Sequence, residues 1–282
     1  MNEPSTEHTA APSKRVAIAI ELHATLPWHY QCYEGALQYG KEHGWSCVLD
    51  PYLFGLSDEN QAPAYDGVVG RIDPALNQII EQAGMPAVTL TKYKEMEAVP
   101  SLGLDSRAGA EAAAEHLIAS GYRRFGYVGI PGEFSGPNQR HIAGMSQAIQ
   151  RHGFEPVIST EVNGNFDEGR QYIAEARAAL TQWLSSLKKP VGILVRQSVM
   201  SRYLTQVCAE MGLRVPEDVG VIMHAGDEVT ATSASPTITA IEYDFYKQGY
   251  EAAAMLASLM RGEAIDPIHK TIRDSQLVVR ES

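Results

Sequence analysis

Apolar positions along this chain follow two alternating rhythms, short unbroken runs and longer stretches in which they recur every three or four residues. The first rhythm suits strands buried on both faces, and the second suits helices packed by one stripe. Read in order, Arg15–Ile20 is a strand and Glu21–His29 the loop after it. Tyr30–His43 is a helix with Tyr33, Ala36, Leu37 and Gly40 on its inner face, ended by Gly44. Strands follow at Trp45–Leu49, Asp66–Gly70 and Met85–Leu90, with a helix at Pro74–Ala83.

The clearest stretch is Asp105–Gly132. Asp105 or Ser106 can cap a helix, because a short oxygen-bearing side chain accepts from the unpaired N–H groups of a first turn. Ala110, Ala113, Ala114, Leu117 and Ile118 form the stripe, and Gly121 stands where a helix end calls for positive φ. Phe125, Tyr127 and Val128 then make a buried strand that leaves through a glycine-bearing loop.

The same rhythm restarts without an obvious repeat. Helices are expected at Asn138–His152, Asp167–Leu187, Val199–Met211 and Tyr246–Met260, and strands at Val157–Thr160, Val191–Val195 and Val219–Met223. Looser alternation closes the chain through Ile272–Val279. Strands alternating with crossover helices predict an α/β fold with parallel, doubly wound sheets, here in two Rossmann-like lobes facing a cleft.

Composition narrows the function. A net charge of −11 over 282 residues makes a poor surface for phosphate backbones, which need clustered Lys and Arg. Cys32, Cys47 and Cys208 are odd in number and widely spaced, which argues against a disulfide framework or a zinc site and fits a reducing cytoplasm. Residues 1–13 are polar with Pro4 and Pro12, a disordered tail rather than a signal peptide, and no apolar run is long enough to span a membrane. GxGxxG, GxxxxGK[ST], HExxH and GxSxG are all absent.

Several motifs together carry a resemblance: DGVVGRID (66–73), LDSRAGAEAAAEHLIASGYRRFGYVG (104–129), RVPEDVGVI (214–222), SPTITAIEYD (235–244), GYEAAAMLASLMRGE (249–263) and the final LVVRES. Over residues 14–282 the chain resembles the effector-binding core of the lactose-repressor and ribose-binding-protein superfamily, above all the sensor half of xylose-operon regulators. There the core precedes an AraC-type DNA-binding domain, and by this resemblance the chain is expected to be a sensor domain whose reader is missing. The resemblance implies a periplasmic-binding-protein-like type I fold, two lobes joined by three crossover strands. The crossings are expected near Val128–Gly129, near Glu242–Asp244 and within Gly262–Pro267. That gives a first lobe of 14–129 plus 244–262 and a second of 130–243 plus 263–282.

The function so implied is a cytoplasmic, non-enzymatic sensor of a small sugar-like effector. It would signal by lobe closure, reach DNA only through a domain absent here, touch no membrane, need no cofactor or metal, and form a homodimer through Pro74–Ala83 and the Arg107 helix. The rivals are a small-molecule enzyme on a doubly wound fold and a transport-type solute receptor.

Ligand groups in such folds come from loops at strand carboxyl ends. In the first lobe these are His23, Thr25, Trp28 and Tyr30, from a loop that also holds His29, together with Arg71, Asp73 and Asp105. An aromatic ring among polar groups stacks on a sugar face and bonds its hydroxyls.

In the second lobe three departures from the sugar-binding relatives stand together. His141, beside Arg140, occupies the place of an Arg. Ser198, in the loop with Arg196 and Gln197, occupies that of an Asp. Ala225, in His224-Ala225-Gly226-Asp227, stands where the first Asp of VDND would be. Each lost carboxylate leaves sugar hydroxyls unpaired at about 1–3 kcal/mol apiece. Xylose is therefore not expected to bind in the family manner, and Arg140, His141, Arg196 and His224 suit an acidic or phosphorylated sugar or another polyol.

Overall fold

The structure, a computed structural model, describes residues 13–22, 26–54, 65–131, 135–162 and 170–282. The described chain forms two compact units, Met1–Gly103 with Phe245–Ile272, and Leu104–Asp244 with Arg273–Ser282. Each is built on a six-stranded sheet.

The first unit contains β1 (Arg15–Ala19), α1 (Trp28–Glu42), β2 (Ser46–Leu49), β3 (Gly67–Gly70), α2 (Pro74–Gln82), β4 (Ala87–Thr89), β5 (Ser101–Leu104), α8 (Phe245–Met260) and β11 (His269–Ile272). Its sheet runs β11-β5-β4-β3-β1-β2, parallel from β5 to β2. Ala17, Val68, Ile72 and Ile80 are sealed in the core beneath it. Helices α1 and α8 touch backbone to backbone through glycine. A Cβ on Gly249 would stand 1.9 Å from the Cys32 carbonyl oxygen, and one on Gly35 2.0 Å from that of Tyr246. Neither site has room for a side chain, so any substitution must push the helices apart.

The second unit contains α3 (Ser106–Ala119), β6 (Phe125–Gly129), α4 (Ser135–Arg151), β7 (Ile158–Glu161), α5 (Arg170–Ser186), β8 (Val191–Val195), α6 (Ser198–Glu210), β9 (Val219–His224), α7 (Glu228–Ser233), β10 (Thr239–Tyr243) and β12 (Ser275–Val278). Its sheet runs β12-β10-β9-β8-β6-β7, parallel except for β12 at the edge. The expected stripe of α3 is buried at Ala110, Ala113, Ala114, Leu117 and Ile118, and Gly121 has φ +99° at the helix end. Asp105 caps α3 as expected, its Oδ1 accepting from Ala108 N at 3.0 Å.

Every strand and helix expected from the sequence is present, most within two residues of the expected bounds. The expected tail and the start of the Asp167 helix lie largely outside the described residues. Two crossings fall elsewhere. The chain leaves the first unit after Gly103 and re-enters the second after Ile272. Strands β5 and β11, whose sequences SLGL and HKTI carry no apolar run, complete the first sheet, and β6 pairs with β7 and β8, which places β6 and α3 in the second unit. The middle crossing, expected near Glu242–Asp244, falls after Asp244.

Candidate functional site

Chemistry-bearing side chains gather at the strand carboxyl ends of each unit. In the first unit, β1 leads to Glu21 and β3 leads to Arg71, whose backbone N–H is held by Ala19 O at 2.8 Å. Pro27 starts α1 two residues earlier than periodicity predicts, so Trp28 and His29 form its first turn rather than the preceding loop. His29 is buried, and its Nδ1 lies 2.6 Å from the Glu21 carbonyl oxygen. A carbonyl only accepts, so Nδ1 carries the proton and Nε2 presents a lone pair. Arg71 donates to that lone pair from Nη1 at 3.1 Å. The guanidinium also sits 5.3 Å from the centroid of the Trp28 ring, which itself stacks on Phe245.

Arg71 is thus fixed by an imidazole and an indole, both neutral, and its Nε is buried with no acceptor among the described residues. Asp50, the acid at the end of β2, is buried and accepts from Tyr65 Oη at 2.7 Å and Phe54 N at 3.0 Å. Tyr30, Tyr52 and Phe54 are exposed nearby in sequence, Tyr52 donating to Glu21.

In the second unit the strand ends of β6, β8, β9 and β10 meet in one buried polar network. Asn138, near the start of α4, accepts through Oδ1 from Ile130 N at 3.3 Å and Arg196 Nη1 at 3.0 Å. Its Nδ2 donates to Ile130 O at 2.6 Å and Glu161 Oε1 at 2.8 Å. Tyr127 Oη donates to the same Oδ1 at 3.1 Å and lies 2.8 Å from His141 Nδ1.

The rings of His141 and His224 lie 3.9 Å apart. His224 Nε2 donates to Ser106 O at 3.3 Å, and Tyr243 Oη lies 2.8 Å from the same nitrogen. Burial, with Arg196 adding to it, lowers His224 to about 3. Burial first, then His224 and the arginines, holds His141 well below the ordinary imidazole range. Both histidines are neutral near pH 7. Burial likewise raises Tyr127 and Tyr243, which remain protonated donors.

The thirteen sequence candidates thus separate. His23 and Thr25 lie outside the described residues. Trp28 and Arg71 are in contact, whereas Tyr30 is exposed and bonds to Pro27 O through its backbone. Asp73, Asp105 and Asp227 all cap helices, accepting from Leu76, Ala108 and Thr230 N respectively. His141, Arg196 and His224 join one network, whereas Arg140 is exposed beside buried His141. Gln197 Oε1 and Asp227 Oδ2 are buried without a partner among the described residues.

The sequence reading missed Tyr127, Asn138 and Tyr243, which look like ordinary strand and helix residues. The signal was a hydroxyl or amide on an inward position within a few residues of a strand end. Thiol chemistry is disfavoured, because burial raises Cys32 to about 12 and Cys208 to about 11. Among the described residues no cluster of His, Cys, Asp and Glu is arranged to hold a metal. An open depression of about 380 Å³ lies at the opposite, amino end of the second unit's parallel strands, between His116, Tyr122, Glu217 and Arg280.

Comparison with known proteins agrees with this geometry. The Escherichia coli K12 xylose operon regulatory protein is 24% identical over 264 residues, 89% of this chain and 65% of that protein. The transcriptional regulator CelR of Thermobifida fusca is 27% identical over 214 residues, 74% of this chain and 60% of that protein. The chain therefore spans less than two thirds of the length of these relatives. Among solved structures, a CelR–cellobiose complex superposes with a TM-score of 0.77 at 22% identity, covering 96% of this chain and 86% of that one. A LacI-family regulator from Arthrobacter sp. FB24 in complex with lactose gives 0.76 at 22%, covering 96% and 99%. Residues 114–282 match the periplasmic binding protein-like domain, and the chain belongs to that family.

Proposed function

We propose that this chain is the effector-sensing domain of a bacterial transcription regulator and that it binds a small sugar-like molecule with its strand-end groups. The observation that carries this reading is the buried network of Tyr127, Asn138, His141, His224 and Tyr243 at the carboxyl ends of four strands. Beside this network Gln197 Oε1 and Asp227 Oδ2 are buried with no partner among the described residues, acceptors of the kind that bond the hydroxyls of a polyol.

The relatives favour a regulator over an enzyme. DNA contact would come from a separate module, because the chain is acidic at −11. Among the described residues no helix is long and apolar enough to cross a membrane, and we place the protein in the cytoplasm, as expected of such regulators. A homodimer through α2, where Ile79 is 40% exposed, and the Arg107 helix fits the same reading.

Xylose is not the expected effector. Ala225 replaces the carboxylate that sugar-binding relatives carry, and its backbone sits at φ +54°, a conformation Asp and Asn tolerate better than Ala.

A thermal-shift screen of pentoses, hexoses, sugar acids, sugar phosphates and polyols tests the reading. A ligand at 100 times its Kd adds about 2.7 kcal/mol and moves the midpoint by a few degrees. Detectable turnover of any of these compounds, with no shift by any of them, would instead favour the enzyme.

A further inference from the structure

We infer that the effector carries an anionic group, a carboxylate or a phosphate, and that Arg71 of the first unit is the residue that binds it. This rests on the effector-sensing reading above and names the ligand class it takes.

The argument starts from charge. A guanidinium drawn partly out of water needs compensation, which a folded chain supplies with a carboxylate. Arg71 is half-buried at the end of β3, and no carboxylate among the described residues pairs with it. Its partners are the His29 lone pair at Nη1 and the face of Trp28. Neither neutralises the charge, and Nε is buried with its hydrogen unspent.

The rest of the first unit shows that this is not for want of nearby acids. Glu21 uses its main-chain carbonyl to fix His29 and its carboxylate to accept from Tyr52. Asp50 is committed to Tyr65 and the Phe54 N–H. Asp73, two residues along the chain, turns to Leu76 N at 2.7 Å and caps α2. Three acids close in sequence or at neighbouring strand ends are thus engaged elsewhere.

The fixing of Arg71 is itself specific. Because Glu21 O takes the His29 Nδ1 proton, Nε2 can only accept, and that lone pair holds Nη1 in place while leaving the charge whole. A preset planar fork whose Nη1 and Nη2 keep hydrogens beyond the one given to His29 matches the two oxygens of a carboxylate or phosphate.

The experiment is calorimetric titration of the whole chain with D-gluconate, D-glucuronate and D-glucose 6-phosphate against uncharged D-glucose and D-xylose. It is repeated on Arg71→Gln and Arg71→Lys. At least one anionic probe is expected to bind at least 10-fold more tightly than its uncharged counterpart, and the carboxylate and phosphate arms decide which group is read. Arg71→Gln should weaken that probe at least 20-fold and Arg71→Lys by less, with melting temperatures close to the parent. Binding should also fall as NaCl is raised from about 0.05 to about 0.5 M, where screening is severe.

Uncharged sugars binding as tightly as the anions, or anion binding indifferent to Arg71→Gln, would overturn the inference and leave the effector reading standing. Failure of every probe, charged and uncharged, would count against the effector reading itself and this inference with it.

Discussion

The strand ends of the two units solve opposite problems. In the second unit, Tyr127, Asn138, His141, His224 and Tyr243 satisfy one another, and the cation among them, Arg196, donates to an amide. In the first unit Arg71 is held just as firmly, by His29 and Trp28, but its charge is left unanswered. The difference teaches that a polar cluster at a strand end is not one kind of object. A closed network stabilises the fold and sets the shape of a surface, whereas a charge without a counterpart is a demand on something outside the chain.

The sharpest way to break the comparison is to remove Asn138. Asn138→Leu strips partners from Ile130, Glu161 and Arg196 at once and is expected to cost about 3 kcal/mol in urea denaturation. A cost below about 1 kcal/mol would mean that the second network is not structural.

Acid comes next. His141 and His224 have folded-state values pushed below the unfolded one, so the unfolded chain takes up protons first as pH falls. The stability tied to their neutrality is intact above about pH 6.5 and is lost as pH falls from there toward their folded values. Between about pH 7.5 and 5.5 the pair should cost on the order of 2 kcal/mol, a slope that His141→Gln combined with His224→Gln should flatten. The groups facing this pair are Arg196, Arg140, Tyr127 and Tyr243.

The first unit should behave differently. Arg71→Gln removes an uncompensated charge, so stability without ligand should change by less than about 1 kcal/mol, in either direction. A loss comparable to that of Asn138→Leu would show Arg71 to be structural and erase the contrast. The smallest effect belongs to Ala225→Gly, which relieves φ +54° and should raise stability by about 0.5 kcal/mol, read as a small rise in Tm.

How much of this was legible in the sequence depended on what each residue had to do. Strands such as Val191–Val195, buried throughout, declare themselves by composition. β5 and β11 do not, because Ser101, Gly103, His269 and Lys270 break up any apolar run around the buried Leu102 and Ile272. At the strand ends, Arg71 was readable because a charged side chain directly after a buried run needs a reason, and His141, Arg196 and His224 through the resemblance to sugar-binding relatives. Tyr127, Asn138 and Tyr243 were not, since their roles depend on strands far apart in the chain meeting side by side. Asp73, Asp105 and Asp227 were ambiguous for a physical reason: the residue that best caps a helix also best accepts from a hydroxyl, and at a strand-to-helix turn both duties fall on the same position.

The central claim is that small-molecule sensing takes place at the strand carboxyl ends. Hydrogen–deuterium exchange with and without the tightest-binding compound of the sugar panel tests it most directly. The account expects slowed exchange at residues 26–31 and 70–73 of the first unit and at 128–131, 195–198 and 224–228 of the second. Protection confined to residues 116–122 and 279–282, around the depression at the amino ends of the second unit's strands, would contradict it.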